Sequence, residues 1–357
     1  MRSRVSKKLV LLGLAIAFTF ALASGADAQP GEFVKGVLQP LADGFPKRAL
    51  TLVNVDDAAS RDGIYIRELQ AMLKGISPVD IIISDEPSPS YGNWYTVKDV
   101  STREGGLDGY FPILWSYFGG PSDLLVEPIE KELKVKLSDV SAVIVLENLV
   151  DIIYQRKKAP WGPTFAGLVK YGKANPGKLR YVCTEIGSGG DIRGEWLINY
   201  LGLKVAKMPA GGHQQVASVI GAGEGDFTLG LVDTARTNWE AGKIDVIMLM
   251  GDSLFPPWDK DPNIVSSKQA GIPKNHLVGS TGFAVPTGVP REHIEWLYKL
   301  FKATATTEGY KKRLALYPAI KLPLLNPKEG DALNKSNYDQ CEPIIRAIGL
   351  HWDQQKK

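Results

Sequence analysis

Short apolar blocks alternate along this chain with segments whose apolar residues recur at helical spacing. Arg48 to Val55 predicts a strand, and Asp80-Ile-Ile-Ile-Ser84, apolar through its centre, predicts a buried parallel one. Between them Ile64, Ile66, Leu69, Met72 and Leu73 mark a helix that stops near Gly75. Further strands are expected over Asp108 to Trp115 and Ser141 to Leu146. The pattern then restarts. Thr164 to Lys173 is a helix with Phe165, Leu168 and Val169 on one face, stopped by Asn175-Pro-Gly177. Strands over Lys178 to Val182, Lys204 to Met208, Gly225 to Leu231 and Ile244 to Met250 interleave with a helix running to Tyr200 and helices over Gln214 to Ile220 and Thr234 to Ala241. A strand at Ser280 to Val285 follows, then an amphipathic helix with His293, Trp296, Leu297, Leu300 and Phe301 on one face, and a C-terminal helix over Tyr338 to Leu350. Strand–helix–strand alternation predicts open α/β sheets, and the restart predicts two of them. Two such units face to face make a cleft that can close by a hinge, with the ligand loops at the carboxyl ends of the strands.

The N-terminus does not belong to this pattern. Arg2, Arg4, Lys7 and Lys8 precede an apolar run from Leu9 to Ala23, and Ala26-Asp-Ala28 offers a cleavage site, so residues 1–28 read as a signal peptide. The run is shorter than the ~20 residues a membrane span requires. Export is therefore expected, with a soluble mature chain. The 357 residues have an ordinary globular composition: 44% hydrophobic, 23% charged, net charge +3, without runs of like charge, which gives no support to nucleic-acid binding. The two cysteines, Cys183 and Cys341, are expected to be free thiols, one at a strand end and one in the last helix. Four histidines scattered along the chain give no support to a metal site, and no cofactor motif is present. Gly221-Ala-Gly-Glu-Gly225 follows a helix and precedes a strand, the reverse of a dinucleotide fingerprint, and reads as a turn.

Candidate chemistry gathers at Tyr181 to Trp196, where a strand ends, a Ser/Gly-rich turn follows and a helix starts. Thr184, Gly187, Ser188, Gly189 and Gly190 would present unpaired N–H groups and a helix dipole to a carboxylate or phosphate; the alternative is a plain turn with a capping serine. Asn54, Asp56, Asp57, Ser60 and Arg61 would form the opposite wall. Arg61 could hold a carboxylate in bidentate fashion, and the aspartates could meet an amino or hydroxyl group. Asp62 is expected to cap the following helix. His213 could donate to a ligand oxygen, and Asp233 follows a strand end in the second unit, as a ligand group or a helix cap. Tyr91, Trp94, Trp115 and Tyr117 could line the cleft or sit in the core.

In order and spacing, several segments resemble one family. Lys170-Tyr-Gly-Lys-Ala-Asn-Pro-Gly-Lys-Leu-Arg-Tyr181 is similar to its AKANPGKLNYG segment, Ile192-Arg-Gly-Glu195 to its LAGE, Gln269-Ala-Gly-Ile-Pro273 to EAGIP, and Gly282 to Pro290 to GLFAPAGTP. The family is that of the Bug-type solute receptors of tripartite tricarboxylate transporters. The resemblance covers about the whole mature chain. It implies an α/β, two-lobed periplasmic binding protein fold, with lobe 1 over residues 29–143 plus 278–357 and lobe 2 over residues 144–277. It further implies no catalysis, no cofactor, capture of a small organic carboxylate in the periplasm, and delivery to membrane permease subunits by a receptor expected to act as a monomer. A solute sensor, or an exported α/β hydrolase using Ser188 and His213, are the alternatives. The family's glycine-rich first loop, PFAPGGGTD, is here Asn54 to Asp62 and keeps only the final Asp, which points to an unusual substrate or an unusual way of holding it.

Overall fold

The computed structural model describes residues 29–87, 92–273 and 279–355; the expected signal peptide lies outside them, as does Tyr91. After a small hairpin of β1 (Phe33–Val34) and β2 (Val37–Leu38), the described strands form two separate sheets. The first runs in the order β4 (Ile81–Asp85), β3 (Leu50–Asn54), β5 (Ile113–Ser116), β13 (Ser280–Pro286), β6 (Val140–Asn148). The second runs β12 (Val265–Ser266), β11 (Ile244–Leu249), β7 (Asp151–Arg156), β10 (Phe227–Leu231), β8 (Leu179–Cys183), β9 (Val205–Pro209). The helices of the first unit are α1 (Arg61–Leu73), α2 (Gly92–Thr102), α3 (Gly119–Val126), α4 (Ile129–Glu132), and after the return α9 (Arg291–Thr304), α10 (Glu308–Leu316) and α11 (Pro327–Ala347). The second carries α5 (Phe165–Ala174), α6 (Gly189–Leu201), α7 (His213–Ala222) and α8 (Val232–Glu240).

The fold is α/β and two-lobed, each lobe an open sheet with flanking helices. Each sheet is parallel except for one strand. In the first β13 runs against β5 and β6; in the second β7 runs against β10 and β11. These are the strands that follow each passage of the chain between sheets. The passages lie side by side, since Leu149 N donates to Gly279 O at 2.7 Å and Ser280 Oγ to Asn148 Oδ1 at 2.9 Å. β6 pairs with β13 from Val140 to Asn148, so the expected lobe boundary at 143/144 falls inside a strand of the first sheet.

Each sheet is covered on both faces. Leu52, Ile66, Leu69, Phe283, Leu297 and Phe301 fill one side of the first, and Val53, Trp94, Val97, Trp115 and Tyr117 the other. Full burial of one such side chain contributes about 1.5–3 kcal/mol. Trp94, Trp115 and Tyr117 are thus core residues, not cleft aromatics. Asp80 to Ser84 departs from expectation in a different way: β4 is parallel to β3 but is an edge strand, with Ile82 48% exposed. Cys183 and Cys341 are buried and free, and burial pushes both thiols up to about 12, so neither offers a thiolate near neutral pH. Phe118, Leu125 and Val126 from α3 and its approach meet Ile192 of α6 and Cys341 and Ile345 of α11, an apolar contact that joins the lobes.

Candidate functional site

The lobes enclose a cavity of about 570 Å³. Its walls are the first turns of four helices. Ser60 and Arg61 begin α1, Gly119 begins α3, Gly189 and Gly190 begin α6, and Gly212 and His213 begin α7. Helix N-termini expose unbonded N–H groups and the positive ends of their dipoles, so their convergence favours an anion. The N–H groups of Gly189 and Gly190 have no partner among the described residues. At Gly189 an added Cβ would stand 3.1 Å from Gly119 Cα, so glycine is what lets α6 and α3 approach across the lobes. A surface hollow of about 600 Å³ beside Trp296 is lined from the first lobe alone and gathers no elements of the second.

The second-lobe wall follows the local chemistry of the sequence. Ser188 is the N-cap of α6, its Oγ accepting from Asp191 N at 3.3 Å and standing 2.6 Å from Thr184 Oγ1. Thr184, Ser188, Gly189 and Gly190 all line the cavity. Gly187, at φ +83°, lies just behind them: its N–H donates to Asp191 Oδ2 at 2.9 Å, and it lines an adjoining chamber of about 270 Å³. His213 is half-buried beside Gly190, without a hydrogen-bond partner among the described residues. Burial, reinforced by the Arg193 charge, pulls its imidazole down to about 4. It is neutral at pH 7 and offers one N–H and one acceptor. No hydrogen bond joins it to Ser188 among the described residues.

The first-lobe wall departs from expectation at three positions. Ser60, not Asp62, caps α1, accepting from Gly63 N at 2.9 Å. Asn54 does not reach the cavity; it is buried, and its Nδ2 donates to Asp56 O at 2.7 Å and Asp85 Oδ1 at 2.8 Å, which shapes the glycine-free turn. Arg61 lines the cavity but is committed elsewhere. Nε donates to Asp233 Oδ2 at 3.0 Å, Nη1 to Asp62 Oδ1 at 2.8 Å and to Thr281 Oγ1 at 3.3 Å, and Nη2 to Glu147 Oε1 at 2.8 Å. With one guanidinium proton left over, a bidentate grip on a ligand would require breaking these bonds. Asp233 is likewise absent from the cavity wall. It accepts from Arg61 and from Arg313 Nη2 at 3.2 Å, tying α8 of one lobe to α1 and α10 of the other. Burial pushes the Asp233 carboxyl up, but the two guanidiniums outweigh it and hold the group below the usual carboxylate range. Asp56 and Asp57 do line the cavity. Asp56 is exposed to solvent, yet burial by the protein around it and the Asp62, Glu185 and Asp57 carboxylates push it up to about 7.

One cavity cation was missed in the sequence. Arg193, in α6, is 3% exposed. Its Nε lies 2.9 Å from Asp151 Oδ2, off line for a hydrogen bond, and Nη2 donates to Asp151 Oδ1 at 3.2 Å. Nη1 has no partner among the described residues. Burial raises the Asp151 carboxyl despite this neighbour. The signal was there to read: Arg193 lies three and four residues beyond Gly190 and Gly189, on their helix face, where the family's LAGE segment has alanine.

The profile described as the tripartite tricarboxylate transporter family receptor matches residues 120–350. A UPF0065 protein of Bordetella pertussis is 24% identical over 317 residues, 87% of this chain and 92% of that protein. Among solved structures, Rpa4515 of R. palustris with adipate superposes with a TM-score of 0.75 at 18% identity, covering 85% of this chain and 98% of that one. MatC of Rhodopseudomonas palustris with bound malate gives 0.69 at 16% identity, covering 84% and 100%.

Proposed function

The chain belongs to the receptor family of tripartite tricarboxylate transporters, and on that footing we propose that it is a periplasmic receptor that closes two lobes over a small organic acid and hands it to the membrane subunits of such a transporter. The observation that carries this reading is the enclosed cavity on which four helix N-termini and Arg193 converge. A carboxylate there gains amide donors, a neutral His213 N–H and a buried cation, in a site from which closure excludes water. The adipate and malate of the two neighbours are ligands of the same general class. The family is one of receptors, and the Ser188 hydroxyl is occupied by Thr184 and the α6 cap instead of by a base, which favours binding over hydrolysis. The leader over residues 1–28 supports export and a periplasmic location. Two lobes with the boundary between β6 and β7, and a monomer as the working unit, complete the reading. A thermal-shift screen of organic acids tests it: at least one acid should raise the melting temperature with one-to-one stoichiometry and be recovered unchanged. Recovery of a hydrolysed or otherwise converted compound would refute the receptor assignment. The transporter partner is tested by co-purification of permease subunits from membranes in the presence of that acid; capture that is indifferent to the ligand would speak against delivery.

A further inference from the structure

The cavity is electrically divided. Arg193 and the neutral His213 face it from the second lobe; carboxylates of both lobes face it as well, Asp56 and Asp57 from the first and Glu185 from the second. Asp56 and Glu185 line the main cavity and the adjoining 270 Å³ chamber alike, and Asp123 and Glu127 line the chamber. None of these four carboxylates pairs with a cation among the described residues, whereas Asp62, Glu147, Asp151, Asp191 and Asp233 all do. Asp56, Glu185 and Glu127 are exposed to solvent and Asp123 is half-buried; burial by the surrounding protein, followed by mutual repulsion, raises Asp56 and Asp123. Asn93 lines both compartments, and its Oδ1 is buried without a partner among the described residues. The independent sign of a ligand is Arg193, a cavity-lining cation more than nine-tenths buried that is paired with Asp151 through Nη2 and whose Nη1 has no partner among the described residues.

A dicarboxylate is poorly matched to the two ends. With one carboxylate on Arg193 and the Gly189 and Gly190 amides, the other would meet Asp56, Asp123 and Glu185. A cationic group there would instead supply the missing counter-charge and donate to Asn93 Oδ1. We propose that the cleft selects a zwitterionic aminocarboxylate, with its carboxylate anchored by Arg193 and its ammonium held by Asp56, Asp123 and Glu185, and that it discriminates against dicarboxylates. This rests on the receptor reading and names the substrate class of that same site.

Titration calorimetry on the intact mature protein tests it with acids matched in chain length, from propionate to hexanoate: the monocarboxylate, the α,ω-dicarboxylate and the ω-aminocarboxylate of each length. The ω-aminocarboxylate of the best length binds at least about tenfold more tightly than its two partners. The Asp56→Asn, Asp123→Asn double variant abolishes that preference. Arg193→Gln loses binding of every acid, and Arg193→Lys, which keeps a charge beside Asp151, weakens it by a smaller factor. A dicarboxylate that binds the unaltered protein as tightly as the aminocarboxylate overturns the zwitterion assignment and leaves the receptor reading standing. A panel that fails at every length, together with failure of the wider acid screen, overturns both. Binding retained in a folded Arg193→Gln variant overturns the anchor.

Discussion

Asp233→Ala is the most informative single change, because Asp233 is the acceptor through which the second lobe holds two cations of the first. The carboxylate takes Arg61 Nε at 3.0 Å and Arg313 Nη2 at 3.2 Å and is only 10% exposed. Arg61 and Arg313 share a second buried carboxylate, Glu147, which accepts Arg61 Nη2 at 2.8 Å and Arg313 Nε and Nη2 at 3.1 and 2.9 Å. Deleting Asp233 leaves two buried guanidiniums with less negative charge between them, and removing one partner of a buried ion pair typically costs about 3–5 kcal/mol. Asp233→Asn keeps the shape and one acceptor, so its cost falls nearer to what is lost when a charged acceptor becomes neutral, about 1–2 kcal/mol. Urea unfolding at pH 7 reads both values. Combined with Arg313→Met, Asp233→Ala should show a coupling of at least about 1 kcal/mol, since the groups are in contact. The pH dependence has a definite sign. The folded Asp233 carboxyl sits below its unfolded value of about 3.9, so its contribution is complete above that pH and is lost as pH falls through the lowered folded value. The acid limb of the wild-type stability curve is therefore steeper than that of Asp233→Asn. A loss below about 1 kcal/mol for Asp233→Ala, with parallel acid limbs, would show that the ion network does not bind the lobes to one another.

Other consequences follow from neighbouring residues. His213 has a folded value of about 4 against about 6.5 unfolded, so unliganded stability declines as pH falls from 6.5 towards 4, by no more than about 2 kcal/mol after allowance for its partial exposure, and His213→Gln removes that decline from the urea midpoints. Asp56 has the opposite sign: its folded value of about 7 lies above the unfolded one, its relative stabilisation is complete below about 3.9 and lost as pH rises through 7, and Asp56→Asn should raise the urea midpoint more at pH 8 than at pH 5. Gly194→Ala gains helix propensity in α6 but places a Cβ 1.7 Å from the buried Tyr181 hydroxyl; a net loss of about 1–3 kcal/mol is expected, and a gain in melting temperature would contradict the packing described there.

Much of the frame was legible because its periodicities are strong. Strands β3, β8, β9, β10, β11 and β13 and helices α1, α5, α6, α7, α8 and α9 lie where alternation and capping put them. β7 was not, since Asp151 to Arg156 follows β6 after only Leu149 and Val150, with no Gly or Pro to mark a turn between the two strands. In α2 the stripe is narrow, with Trp94, Val97 and Val100 set among polar neighbours. The first half of α11 buries Asn334 and Asn337, polar residues that serve Trp115 Nε1 and Tyr117 O, so hydrophobic spacing missed it, although Asn326-Pro-Lys-Glu329 is a readable helix start with a capping box. The turn from Thr184 to Gly190, which lines the cavity, was readable from Ser and Gly at a strand end. The opposite wall was not. Arg61 looks free in sequence because two of its three carboxylates come from residues 147 and 233, and Arg193 looks like an ordinary helix residue until the fold closes a cavity over it.

The central claim is that the interlobe cavity holds one small organic acid. A native mass spectrum of the protein, purified from its native host without denaturation, tests it most directly. The expected result is a single small adduct per chain that is released as an intact carboxylic acid and is absent from Arg193→Gln. A cleft that stays empty in every preparation and takes up none of the acids offered, or an adduct unaffected by Arg193→Gln, would contradict it.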